Sequence, residues 1–230
     1  MPLRAIVFDF DGVIANSEPL HFRAYASVLA PEGVALTERD YYARYLGFDD
    51  VGAFEAIARD RRLPWSPGFV RTLVERKAIE LEKLERHVSV LFPGAADAIR
   101  CAAASVPIAI ASGARGDEIR RVVRREQLEA CFSVIVSAED TPVSKPAPEP
   151  YLHAVAQLRT TAGASSLAAA DCVAIEDSRW GLESARAAGL KTIAVTNTYD
   201  AAALVRYADL VISSLADFDL DVIAGLCRDR

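Results

Sequence analysis

An apolar run that ends in two carboxylates constrains this chain more than any other feature. Ile6-Val7-Phe8 leads into Asp9, Asp11 follows two places on, and Gly12 closes the segment. Such a run reads as a buried parallel strand that delivers both acids to one end of a sheet. Residues two apart in a strand lie on the same side, which makes Asp9 and Asp11 neighbours. Gly12 lets the chain turn away at once, with positive φ as one way to do so. Paired carboxylates suit a hard divalent cation, or a division of labour between nucleophile and acid/base. Ordinary turn chemistry at Asp11-Gly12 is the structural alternative.

The remaining sequence fits an α/β protein with a helical insert. From Glu18 to about Leu84 the apolar spacing is helical. Leu20, Ala24, Tyr25, Val28 and Leu29 give one face; Val51, Phe54, Ile57 and Ala58 a second; Val70, Leu73, Val74, Leu81 and Leu84 a third. Gly33, Gly47 and Pro64 to Gly68 punctuate them. After Phe92-Pro93-Gly94, strands at 107–111, 134–136, 172–175, 192–195 and 210–212 alternate with helices at 95–104, 117–127, 149–158 and up to Ala188. That alternation predicts a doubly wound parallel sheet with ligands beyond the carboxyl ends of its strands. The predicted division is a core of residues 1–15 and 90–230 and an inserted α-helical domain of residues 16–89. Thr160–Ala170 reads as a surface loop without chemistry.

Composition removes several function classes. With 52% hydrophobic and 25% charged residues, the chain is ordinary for a soluble globular protein. A net charge of −6 argues against a nucleic-acid partner or an anionic membrane surface. No apolar run approaches the ~18 residues of a membrane span. Residues 1–8 have no long apolar h-region, so no signal peptide is expected. Cys101, Cys131, Cys172 and Cys227 have no metal spacing and read as reduced, mostly core thiols of a cytoplasmic protein. His21, His87 and His153 are scattered.

Polar groups collect at the strand ends: Asp9 and Asp11 after the first, Ser112 after 107–111, and Glu176 and Asp177 after 172–175. Ser144-Lys145-Pro146 precedes the 149 helix. Phosphoryl transfer needs such a set. A carboxylate can attack phosphorus, but a divalent cation must neutralise both anions. Asp9, Asp177 and the Asp11 carbonyl can hold Mg2+, with Glu176 in support, while Lys145, Ser112 and amides at the start of the 117 helix bind phosphate oxygens. Each residue also has a plain structural role open to it. Ser112 suits a turn, Lys145 a solvated loop, and Glu176-Asp177-Ser178 a helix cap.

Four motifs together resemble the haloacid dehalogenase-like phosphohydrolases: Asp9-Phe10-Asp11-Gly12-Val13-Ile14, Ile110-Ala111-Ser112-Gly113, Ser144-Lys145-Pro146-Ala147-Pro148-Glu149-Pro150-Tyr151, and Val173 through Gly181 to Gly189. The insert resembles that family's C1 cap. Ser17-Glu18 and His21-Phe22-Arg23-Ala24 are most similar to the β-phosphoglucomutase branch. The resemblance implies Asp9 as nucleophile and Asp11 as general acid and then base. It places Ser112, Gly113 and Lys145 at the phosphoryl group, and Asp9, Asp11, Asp177 and Glu176 at Mg2+. His21, Lys77 and Arg115 become candidates for binding the substrate. Phosphonate-cleaving relatives use a cap lysine as a Schiff base; a lysine snorkelling to solvent is the plainer role for Lys77.

The expected activity is a Mg2+-dependent phosphatase of a small phosphorylated metabolite, phosphosugar-like, acting through an aspartyl-phosphate. The protein is expected as a monomer or small homo-oligomer. Two alternatives stand beside it: a β-phosphoglucomutase-type mutase, and a non-catalytic phosphate- or partner-binding module on the same fold. A mutase needs a cation for its second phosphate. Three residues after Gly47, where the mutases carry an arginine, this chain has Asp50, preceded by Asp49.

Overall fold

The computed structural model describes residues 3–46, 48–86, 88–161 and 165–228. Gly47, His87 and residues 162–164 lie outside them; of the loop expected at Thr160–Ala170, Thr160 and Thr161 are instead the end of a helix that starts at Glu149. Two compact units form: Met1–Asn16 with Val90–Arg230, and Ser17–Ser89.

The first unit holds a parallel sheet of β1 (Ala5–Phe8), β2 (Ile108–Ala111), β3 (Phe132–Val136), β4 (Cys172–Glu176), β5 (Lys191–Val195) and β6 (Leu210–Ile212), in the order β3-β2-β1-β4-β5-β6. The chain builds outward from β1 to β3, then returns to β4 on the other side of β1. That reversal makes the β1/β4 border the switch point, where such sheets open a crevice for ligands. Every residue of β1, β2 and β4 is buried. Burial of successive residues means that both faces are covered.

The second unit is helical: α1 (Glu18–Leu29), α2 (Glu38–Arg44), α3 (Asp50–Arg61) and α4 (Pro67–Glu85). Its core joins Tyr25, Leu29, Tyr41, Phe54, Ile57, Val70 and Leu73. Val51 was expected on the inner face of its helix but is exposed. It lies one residue into α3, beyond the end of the stripe that packs. Caps at Thr37, Asp49 and Ser66 accept the Asp40, Gly52 and Phe69 amides and start α2, α3 and α4.

The remaining helices return to the sheet unit: α5 (Ala95–Ala103), α6 (Gly116–Arg125), α7 (Glu149–Thr161), α8 (Arg179–Ala187), α9 (Ala201–Leu204) and α10 (Leu220–Leu226). One face of the sheet offers mainly small residues, with Ala5, Val7, Ala109, Ala111 and Ala174 packed against Tyr151, Ala154, Val155 and Leu158 of α7. Alternate positions carry Ile6, Phe8, Ile108, Ile110 and Ile175 to the other face. The thiols divide: Cys172 and Cys227 are buried, but Cys101 is exposed and Cys131 half-buried, so only two of the four are core residues. Among the described residues no helix is long and apolar enough to cross a membrane.

Ala15 forms an antiparallel bridge with Leu91. The Asn16 amide donates to the Val90 carbonyl at 2.6 Å and the Phe92 amide to the Ile14 carbonyl at 3.0 Å. The outgoing and returning stretches are thus hydrogen-bonded to each other.

Candidate active site

The period of the strands determines which acids meet. Asp9 continues the face of Ala5 and Val7, and Glu176 that of Cys172 and Ala174, so both point towards α7. The Asp9 amide is held by the Ile175 carbonyl at 2.9 Å, which ties the end of β1 to β4. Lys145, in the loop before α7, places its ammonium 2.8 Å from Asp9 Oδ1 and 2.6 Å from Glu176 Oε1. Tyr151, in the first turn of α7, donates its hydroxyl to the same Glu176 oxygen at 2.5 Å. The ammonium also lies 5.2 Å from the centre of the Tyr151 ring. Lys145 is therefore no solvated loop lysine.

Two carboxylates hold this ammonium and a third, Asp177, lies in the same cluster, and the electrostatics follow. Burial, then repulsion from Asp9, raises the Glu176 pKa, although Lys145 pulls it down. Burial and Asp9 likewise raise that of Asp177, opposed by a hydrogen bond to Thr198. Burial works to lower the Lys145 pKa, but Asp9 and Glu176 outweigh it and keep the amine charged. Burial also raises the Tyr151 pKa, so its hydroxyl remains a donor.

Such a crowded acid cluster fits a cation. Oxygens of Asp9, Glu176 and Asp177 all lie within 4.8 Å of one another. A small hard ion with bonds of about 2.1 Å spans about 4.2 Å between opposite ligands. The all-oxygen donor set, buried and short of positive charge, suits a divalent metal ion. Lys145 and Tyr151 occupy Glu176 Oε1 and Lys145 also occupies Asp9 Oδ1, which leaves the second oxygen of each, and Asp177, to face a metal. The Asp11 side chain is not in this cluster. Neither Glu176 nor Asp177 caps α8. Ser178 does so, accepting the Gly181 amide at 3.1 Å.

Two glycines make room for the acids. Gly12 adopts φ +77°, and a Cβ there would collide with the Asp177 carboxylate; a Cβ on Gly181 would collide with that of Glu176. The Gly12 carbonyl accepts from Asn197 at 2.8 Å, which fixes the turn after β1 to the loop after β5.

Other expected residues are placed differently. Ser112 is buried at the end of β2, and its Oγ accepts the Ala114 amide at 3.1 Å, so the turn role is real. Gly113 faces open space. The α6 amides expected to bind an anion are partly taken, because Gly116 N donates to the Glu139 carboxylate at 3.1 Å. Arg115 is exposed and paired with Asp117 at 3.2 Å.

In the helical unit Lys77 does not snorkel. It is only 1% exposed, and its ammonium lies 2.7 Å from Asp50 Oδ1 and 2.9 Å from His21 Nδ1. The Tyr25 hydroxyl donates to the same Asp50 oxygen at 2.7 Å. Asp49 caps α3, and Asp50 is held by Lys77 and Tyr25. Tyr151, Thr198, Glu139 and the Asp50 partnership all escaped the sequence. Each is a single polar residue paired across a long separation, without a spacing signature.

A doubly wound sheet that collects two strand-end acids, a buried ammonium and a metal-ready cluster at its switch point defines an enzyme acting on phosphoric monoesters. The comparisons agree. The model of the haloacid dehalogenase-like hydrolases matches residues 6–195. The chain is 32% identical to hexitol phosphatase B of Escherichia coli (strain K12), over 83% of this chain and 82% of that one. It is also 32% identical to protein CbbY of Rhodobacter capsulatus, over 86% and 88%. The crystal structure of CbbY from Rhodobacter sphaeroides in complex with phosphate superposes with a TM-score of 0.73 at 26% identity, over 94% and 96%. The chain belongs to the haloacid dehalogenase-like hydrolases, in the branch whose fold is that of β-phosphoglucomutase.

Proposed function

We propose that the protein is a Mg2+-dependent phosphatase of a small phosphorylated polyol or sugar, with Asp9 as nucleophile. The observation that carries this reading is the bridge of Lys145 between Asp9 and Glu176, beside Asp177, at the switch point of the sheet. An Asp9 oxygen attacks phosphorus, and the bond from phosphorus to the substrate's alcohol oxygen breaks. Asp11 gives that oxygen its proton. Asp11, now a carboxylate, takes a proton from water, and the water oxygen displaces Asp9 from phosphorus. Lys145, Ser112 and Gly113 hold the phosphoryl oxygens, Lys145 through the ammonium hydrogens it retains. Asp9, Asp177 and the Asp11 carbonyl, with Glu176 in support, would hold Mg2+, which would offset the repulsion between carboxylate and phosphate.

The helical unit serves as the cap in this reading, with His21 and Lys77 as candidates for recognising the alcohol portion. The hexitol phosphatase relative supports a polyol phosphate as substrate class. A mutase would need a cation for a second phosphate, yet Lys77 is engaged by Asp50 and Arg115 by Asp117. Retention of Asp9, Asp11, Lys145 and Asp177 opposes a non-catalytic binding module. The four free cysteines favour a cytoplasmic setting.

The test is hydrolysis of para-nitrophenyl phosphate with and without Mg2+, followed by a panel of hexitol and sugar monophosphates. Incubation with β-glucose 1-phosphate and catalytic glucose 1,6-bisphosphate separates the mutase. Isomerisation much faster than phosphate release would replace the phosphatase reading.

A further inference from the structure

Tyr151 is not in the set that performs the chemistry above, yet it touches two members of that set, Glu176 and Lys145. It is fully buried in the first turn of α7, where a tyrosine hydroxyl must find a polar partner. It could have met a backbone carbonyl. Instead it shares Glu176 Oε1 with Lys145, and its ring lies beside the same ammonium. Glu176 takes both donors on one oxygen. Its other oxygen has only a long approach, 3.5 Å, from Ser178.

We infer that Tyr151 is a positioning residue that sets where Lys145 stands between Asp9 and Glu176. It acts through Glu176 and does not touch the substrate. With the hydroxyl present, Glu176 Oε1 divides its accepting capacity between two donors. Its hold on Lys145 is weakened accordingly, and the ammonium is balanced against Asp9. Without the hydroxyl, Glu176 has one donor left and draws Lys145 towards itself, away from Asp9 and from a bound phosphoryl group. A phenylalanine here would keep the packing against Ala5, Val7 and Ala174 and lose only this adjustment.

The inference rests on the phosphatase reading for the meaning of the Lys145 position, and the experiment separates the two. Tyr151→Phe is compared with Leu158→Ala, which removes a buried side chain two turns further along α7, away from the acids. Two quantities are measured: turnover of para-nitrophenyl phosphate, and binding of inorganic phosphate by calorimetry, which needs no turnover. Tyr151→Phe is expected to weaken phosphate binding about fivefold and lower kcat about tenfold. Leu158→Ala is expected to lower the melting temperature at least as much while leaving both at wild-type values. In a Glu176→Gln background, Tyr151→Phe is expected to add little further loss, because the residue through which it acts is already altered. Wild-type phosphate affinity and kcat in Tyr151→Phe would overturn the inference, as would full additivity with Glu176→Gln or equal losses in Leu158→Ala. If the wild type shows no turnover at all, the phosphatase reading falls, and the phosphate-binding cycle still decides the role of Tyr151.

Discussion

Two buried ammonium groups, one in each unit, show how the same pairing chemistry serves different ends. Lys145 lies between Asp9 and Glu176, with Asp177 in the same cluster; Lys77 lies between one carboxylate, Asp50, and Nδ1 of the His21 ring. Both lysines also stand near a tyrosine ring, Tyr151 at 5.2 Å and Tyr25 at 5.0 Å. In both places a tyrosine hydroxyl donates to the carboxylate oxygen that the lysine holds. The difference is charge. Around Lys145 the acids outnumber the bases, and burial together with that surplus raises the pKa values of Glu176 and Asp177. Around Lys77 the charges balance, and the Asp50 pKa is lowered instead. A cluster with surplus carboxylates calls for a cation; a balanced one is satisfied by its own partners.

The largest effects should fall on the unbalanced cluster. Asp9→Asn is expected to reduce kcat about 10,000-fold or more, roughly 5 kcal/mol of barrier, with an unchanged circular dichroism spectrum. Lys145→Met is expected to reduce kcat/KM about 1,000-fold, roughly 4 kcal/mol. Steady-state rates close to wild type in either variant would end the proposed mechanism.

Metal dependence comes next. Chelation with EDTA should abolish activity, and Asp177→Ala should raise the Mg2+ requirement sharply. Glu176 and Asp177 hold their protons to higher pH than ordinary carboxylates, and binding a divalent ion must displace them. Apparent Mg2+ affinity should therefore rise with pH above the ordinary carboxylate range, about tenfold per unit for each proton displaced. A calorimetric titration that gives the same affinity at pH 5 and pH 7.5 would contradict this.

The balanced cluster should register mainly in stability. Lys77→Met leaves Asp50 without its cation. Breaking a fully buried pair costs about 3–5 kcal/mol; Asp50 is one-third exposed, so solvent screening reduces the expected loss to about 2 kcal/mol. Urea unfolding measures it. Activity on para-nitrophenyl phosphate should stay within about tenfold of wild type, because chemistry at Asp9 is untouched.

The smallest effect is a pH signature. Burial alone would raise the Asp50 pKa, but Lys77 and Tyr25 outweigh it and hold the carboxyl below its ordinary 3.8. A depressed folded-state pKa means that Asp50 contributes stability above about pH 3.8 and loses it as pH falls through the lower folded value. Asp50→Asn should therefore flatten the acid limb of the stability curve below pH 5. An unchanged acid limb would show that the pairing carries no linkage.

The contrast also explains how much the sequence revealed. Asp9, Glu176, Asp177 and Lys145 stand beside strand ends or in contiguous motifs, and each was readable because strand period and chain order dictate where it falls. The Asp50–Lys77 pair joins two helices 27 residues apart, and no periodicity encodes a charge facing a charge across such a gap. Tyr151 stood in a recognised stretch, but its hydroxyl partner lies 25 residues on, in another element. The helix α2 escaped for a related reason. Only Tyr41 of its seven residues is buried, so it has no apolar stripe. Arg115 stands just past the Ser112 turn in sequence, but its partnership with Asp117 depends on the local turn into α6.

The zipped stretches at Ala15–Asn16 and Val90–Phe92 make the insertion point tolerant of change. Because the sheet unit itself holds the outgoing and returning chain together, the entropic cost of whatever runs between them grows only slowly, about 0.6 kcal/mol for each doubling of length. A replacement segment of quite different size can enter at this clasp without disturbing the registration of β1 beside β2 and β4. The acids after β1 and β4 then stay in place whatever the length of the inserted part.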